Sequence, residues 1–174
     1  MSELTLPVDD KDHSEGPKDA PATLVEYGDF ECPYCGQMYG VIKEVQKIMG
    51  DRLRFVFRHF PITQSHPHAG HAAEFAEAAA EIGEFWAAHD ALYEHQWALE
   101  DANLVGYGAD LGMTEQDVLQ AFDGLYDARI QKDFIGGARS GVNGTPSLFI
   151  NGTRYDGKRD VRSLRIALAQ AAES

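Results

Sequence analysis

Cysteine is nearly absent from this chain of 174 residues: only Cys32 and Cys35 are present. Two thiols at this spacing cannot make a disulfide framework, and without an export signal they point to redox catalysis or metal binding. The N-terminus lacks a basic start followed by an apolar stretch, so no signal peptide is read there. A cytoplasmic location is therefore expected, or a periplasmic or secreted one if the chain is a trimmed mature form. No run approaches about 18 consecutive apolar residues, so neither a spanning helix nor membrane insertion is expected. Basic side chains are also few, 15 Lys and Arg against 28 Asp and Glu, for a net charge of −13. Such a chain repels phosphate backbones, which argues against nucleic acid as a partner. No internal repeat is found. What remains is an ordinary globular composition, 44% hydrophobic and 25% charged, long enough to bury a core without metal or disulfide staples.

Residues 1–20 are polar and acidic and are expected to form a flexible arm, with 4–8 as a candidate edge strand. Residues 22–27, β-branched and bounded by Pro21 and Gly28, read as a buried strand. A helix follows from Pro33, with Met38, Val41, Ile42, Val45, Ile48 and Met49 at helical spacing and Gly50 at its end. Leu53, Phe55 and Phe57 alternate with Arg52, Arg54 and Arg58, so residues 53–60 read as a second strand, closed by Pro61. Strand, helix, strand in this order is most easily a parallel pair with a right-handed crossover. Helical patterns then occupy 69–82, 84–99, 102–111, 114–125 and 127–140, with Thr114 and Asp117 spaced as a capping box. Along 84–99, Phe85, Trp86, His89, Leu92, Tyr93 and Trp97 share a stripe read as core. Asn151 and Gly152 between two extended runs predict a hairpin, and 161–172 predicts a last amphipathic helix.

The chemistry is concentrated in Gly28-Asp29-Phe30-Glu31-Cys32-Pro33-Tyr34-Cys35-Gly36. Pro33 suits the first helical position, which puts Cys32 at the N-cap. There its sulfur meets unsatisfied N–H groups and the positive end of the helix dipole, both of which favour the thiolate. Cys35, one turn on, is placed to resolve a mixed disulfide formed by Cys32. Asp29 and Glu31 oppose the thiolate, but are expected to be solvent-exposed and screened. Glu26, in the strand before the motif, is either a satisfied core acid or a proton relay. His66, His68 and His71 form a local cluster expected to be solvated, and with the two cysteines they offer ligands for an alternative, a zinc or copper module. His59, just after the second strand, either lies near the active site or caps a strand end.

Several ordered segments together are similar to the DsbA-like branch of the thioredoxin-fold disulfide oxidoreductases: 24–36, R-H-F-P at 58–61, H-P-H-A at 66–69, 84–93, and G-V-N-G-T-P-S-L-F-I-N-G at 141–152. The resemblance covers about residues 20–172. It implies an α/β thioredoxin fold, with 21–62 and 141–174 forming the thioredoxin-like part and 63–140 a helical insertion. It implies thiol–disulfide exchange on protein substrates, with Cys32 and Cys35 as the redox disulfide and no metal or organic cofactor. It further implies a cis bond between Thr145 and Pro146, a substrate-binding role for Pro33, Tyr34, Thr145 and Pro146, and a buried acid at Glu26 that moves protons. A thioredoxin- or glutathione-type redox partner would complete the cycle. The Pro-Tyr pair between the cysteines, shared with glutaredoxins, keeps a glutathione-linked activity open. Similar modules fused to membrane transporters keep open a regulatory partner domain.

Overall fold

The computed structural model describes residues 2–174. Strands β1 (His13–Glu15), β2 (Ala22–Gly28), β3 (Leu53–His59), β4 (Ser147–Ile150) and β5 (Thr153–Tyr155) form one sheet in the order β1-β3-β2-β4-β5. Helix α1 (Pro33–Met49) links β2 to β3, the two neighbours expected from the strand–helix–strand pattern. Five helices follow: α2 (Ala69–Glu81), α3 (Phe85–Glu94), α4 (Asp101–Asp110), α5 (Glu115–Gln120) and α6 (Asp127–Arg139). The hairpin β4–β5 and helix α7 (Val161–Ala172) close the chain. Mixed α/β order with a helical block between the halves of the sheet is the architecture expected above.

The chain forms two compact units. The first takes the chain up to Gly28, Gln37–Arg58 and Ile135–Ser174; the second takes Asp29–Gly36 and His59–Phe134. The Cys-Pro-Tyr-Cys segment thus groups with the helical block, and the last stretch of the first unit runs from Ile135 to Ser174.

In the first unit, β4 runs antiparallel to β2, pairing Glu26 with Leu148 and Leu24 with Ile150. Asn151 and Gly152 both adopt positive φ, 46° and 87°, the primed-turn geometry that matches the twist of a hairpin. Helix α7 packs against β2 through buried Leu164 and Leu168, and Tyr27 meets Phe149 edge-on at 5.9 Å.

Residues 1–20 are not a loose arm over their described length. β1 pairs antiparallel with β3, His13 opposite Phe57, so the edge strand lies at 13–15 and not at 4–8. Glu3 bridges Thr153, Leu4 N–H donates to Gly152 at 2.9 Å, and Thr5 N–H donates to Ser140 Oγ at 3.0 Å. Gly16 has φ +87°, and a Cβ there would collide with the Leu53 carbonyl. β3 is covered as a result, and even Arg54 and Arg58 are buried. Arg58 donates Nε and Nη2 to the two Asp12 carboxylate oxygens at 2.8 and 2.9 Å, and Nη1 to Tyr27 Oη and the Leu6 carbonyl, both at 2.9 Å. Polar content predicts looseness only when no buried counter-charge waits for it.

In the second unit, α2 packs against α3, α4 and α5, with Phe75, Ala76, Ala79, Leu92, Leu104 and Val118 buried. The capping box at Thr114 and Asp117 is formed reciprocally. Two helices are shorter than their patterns. α3 stops at Glu94, where the His95 ring turns back to the Ala91 carbonyl at 2.8 Å. α5 passes at Ala121–Leu125 into a wider, π-type turn broken by Gly124 at φ 97°.

Candidate active site

Both cysteines lie at the start of α1 in the second unit. The Cys32 carbonyl accepts the Gly36 N–H at 3.1 Å, which makes Cys32 the residue that opens the helix. Pro33 is its first residue, where a missing N–H removes nothing the helix would have used. The first turn of α1 carries no acidic residue, so nothing within the helix counters its dipole there. Cys32 and Cys35 are buried, at 4% and 0% exposure, while Tyr34 between them is 68% exposed. Pro33 is also exposed.

The turn before the helix is held from several sides. Cys32 N–H donates to the Asp29 carbonyl at 3.1 Å. Gln96 Nε2 donates to the Phe30 carbonyl at 2.8 Å and to the Cys32 carbonyl at 2.9 Å. This contact comes from the segment where α3 has ended, so the lost helical turn has a structural use. The same early ending leaves Trp97 outside the core, 80% exposed, against the His95 ring at 5.4 Å. Phe30 is buried, with Tyr93, His89 and His59 around it at 5.1, 5.8 and 6.0 Å.

Asp29 is not the exposed, screened acid expected from the sequence; it is 1% exposed. Its Oδ1 accepts the Glu31 N–H at 2.8 Å. Its Oδ2 accepts the Ile62 N–H and meets His66 Nδ1, each at 2.8 Å. His66 is accordingly not a solvated histidine. Its burial opposes the charged ring, but the hydrogen bond and charge of Asp29, then the charges of Cys32 and Glu31, outweigh burial and raise its pKa. Glu31 Oε1 accepts the His68 N–H at 2.8 Å. The H-P-H segment therefore ties both acids that flank Phe30. The motif at 66–69 was visible in the sequence; its engagement with residues 29–31 was not, because nothing local encodes a contact across 37 residues.

The remaining candidates are distributed as follows. His71 pairs with Asp101 at 2.7 Å and stacks on Phe122 at 4.2 Å, so it is engaged in the helical unit. His59 ends β3, with Nε2 on Glu77 Oε2 at 2.8 Å and its N–H on Asp133 at 3.0 Å. Glu26 lies in β2 of the first unit, 1% exposed. Thr145 and Pro146 belong to the first unit too; the bond between them is cis, and the Pro146 carbonyl accepts Arg159 Nη1 at 2.6 Å. Among the described residues, the convergent group of metal-ligating side chains includes neither cysteine, and His66 Nδ1 is committed to Asp29. No helix among the described residues is long and apolar enough to cross a membrane.

A family model described as thioredoxin matches residues 9–170. The fold is that of BdbD from Bacillus subtilis, with TM-score 0.88, 19% identity and 99% of each chain covered. It is also that of a thioredoxin-like oxidoreductase from Silicibacter pomeroyi, with TM-score 0.84, 23% identity and 95% of each chain covered. In sequence the chain is 44% identical to Na(+)/H(+) antiporter NhaA 1 of Salinispora arenicola, over 97% of this chain and 26% of that protein. It is 40% identical to Na(+)/H(+) antiporter NhaA of Herminiimonas arsenicoxydans, over 95% of this chain and 26% of that one. The chain thus spans about a quarter of the length of the curated relatives it matches.

Proposed function

The chain belongs to the thioredoxin family, and from that premise we propose that it exchanges disulfides with protein thiols through Cys32 and Cys35. The observation that carries the reading is the position of Cys32, immediately before the first residue of α1 with Cys35 one turn further. Helix-terminal N–H groups favour the thiolate there, and the thiolate is the attacking species.

In the oxidising direction, a substrate thiolate attacks Cys32 Sγ of the Cys32–Cys35 disulfide. That S–S bond breaks, Cys35 leaves as a thiolate and takes a proton, and a mixed disulfide joins Cys32 to the substrate. A second substrate thiolate attacks the substrate sulfur bonded to Cys32, the substrate disulfide forms, and Cys32 leaves as a thiolate. Two electrons pass from the substrate pair to Cys32 and Cys35, and reduction is the same sequence reversed. Glu26, a buried carboxyl, is the proton relay for Cys35 in this reading. Exposed Pro33 and Tyr34 and the main chain at Thr145 and Pro146 receive an extended substrate segment by strand addition. A thioredoxin- or glutathione-type partner returns or removes the electrons. The chemistry requires no metal or organic cofactor.

Dithiol-dependent reduction of insulin by the parent and by Cys32→Ser tests this. Activity in the parent that falls to background in the variant is expected. Equal rates would overturn the reading. A second reading is favoured by the antiporter relatives: the module is a regulatory partner domain of a cation–proton antiporter. Full biological function retained by an active-site variant would point there.

A further inference from the structure

We propose that His66 is the positioning residue that neutralises buried Asp29 and thereby keeps Cys32 in its thiolate form, so that the charge on His66 and the redox state of Cys32 depend on each other. The inference rests on Cys32 being the attacking sulfur.

A carboxylate in a solvated loop is screened and matters little to a thiol nearby. Asp29 is different. Its side chain is 0% exposed, and it sits three residues before Cys32 in a turn closed by the Cys32 N–H. A bare charge so placed raises the energy of a neighbouring thiolate. Three donors meet the carboxylate at 2.8 Å, and two of them, the N–H groups of Glu31 and Ile62, are neutral. They satisfy its lone pairs without cancelling its charge. Only His66 brings a positive charge.

The main chain that carries the ring is fixed. Ser65 and His66 N–H both donate to the Ile62 carbonyl, at 3.0 and 2.9 Å. The charged groups that face His66 are Asp29, Cys32 and Glu31. Glu31 is fixed by the His68 N–H, which again adds no charge. A protonated His66 therefore offsets one of the two acids beside Cys32, and the helix terminus acts against the other.

Coupling of this kind is reciprocal. If protonated His66 favours the Cys32 thiolate, the thiolate favours the proton on His66 to the same degree. Oxidation to the Cys32–Cys35 disulfide removes the sulfur's charge and lowers the affinity of His66 for its proton. Reduction by two electrons then takes up a proton at His66, drawn from solvent, at pH values between the ring's oxidised and reduced midpoints.

Two measurements on the full chain test the proposal. In the first, the His66 ring is titrated by NMR in the reduced and the oxidised protein. Its midpoint is expected to be higher in the reduced form by about one pH unit; identical midpoints would overturn the proposal. This needs no variant, so it stands whether or not substitutions fold. In the second, the thiolate of Cys32 is titrated by its ultraviolet absorbance in the parent, His66→Asn, the double variant His66→Asn with Asp29→Asn, and His71→Gln. Asparagine sets a neutral N–H donor where Nδ1 stood, so it keeps the bond to Asp29 and removes the charge. The Cys32 midpoint is expected to rise by about one unit in His66→Asn, to return toward the parent in the double variant, and to stay put in His71→Gln. A His66→Asn midpoint equal to the parent's would overturn the proposal. If the parent reduces insulin while that midpoint is unmoved, this inference alone fails; if the parent does not reduce insulin, the reading of the site fails with it.

Discussion

Each compact unit holds a charge pair built on a buried carboxylate, Asp12 with Arg58 in the first and Asp29 with His66 in the second, and these two pairs do different things. In the first unit, Arg58 grips Asp12 through two hydrogen bonds. Burial pulls the guanidinium's pKa down, but the Asp12 bond, then the charge of Tyr27, outweigh it and hold the proton still more firmly. The guanidinium keeps its charge at any accessible pH, so it is a standing tie between the N-terminal segment and β3. In the second unit, Asp29 meets a histidine, whose charge changes near neutral pH. Its pKa is raised by a partner and by Cys32, so the same burial that makes one pair a fastener makes the other responsive. The cation's own chemistry decides which.

The largest test of that contrast is Asp12→Ala. It strands a guanidinium whose side chain is 4% exposed, and removing one partner of a buried pair costs about 3–5 kcal/mol. Urea denaturation should show that loss, while the thiolate midpoint of Cys32 stays where it was. A shifted thiolate midpoint would break the contrast.

A third buried acid provides the next test. Burial, then Asp127 and Asp123, push Glu74 up to about 8, from 4.5. An acid whose folded pKa is raised binds more protons folded than unfolded between those two values, so stability falls as pH climbs through that range. Glu74→Gln should flatten this dependence. Above about pH 8 it should add about 1–2 kcal/mol, less than the full shift because the site is partly reached by solvent. Denaturation midpoints at several pH values check it.

The smallest effect expected is on stability through His66. Its folded pKa is raised above 6.5, so its contribution is complete below pH 6.5 and is lost as pH rises through the folded value. With its side chain 21% exposed, that contribution is under about 1 kcal/mol. His66→Asn should remove this slope and leave the Arg58 region unaffected. A stability change as large as that of Asp12→Ala would mean His66 is a fastener too.

Much of the fold was legible because the signals are local. Apolar spacing marks α1, Pro33 marks its start and Gly50 its end. Asn151 and Gly152 mark the hairpin, and Thr114 with Asp117 marks a helix start; each needs only its neighbours in the chain. The failures share one cause. The polar run 1–20 predicts a loose arm, but Asp12 is held by Arg58 from 46 residues away. The stripe along 84–99 predicts a core tryptophan, but the helix ends early and Gln96 turns to the carbonyls of Phe30 and Cys32. The acids of the motif look solvent-facing until the loop holding Ile62, His66 and His68 is laid against them.

The sequence by itself determined the order of strands and helices from β2 onward, the two thiols at a helix start and the net acidity, since these depend on residue types a few positions apart. Only the tertiary structure decided which charges are buried and what neutralises them. Burial and counter-charge are properties of distant segments brought together, and they govern whether a carboxylate three residues from Cys32 is harmless or must be balanced by a histidine.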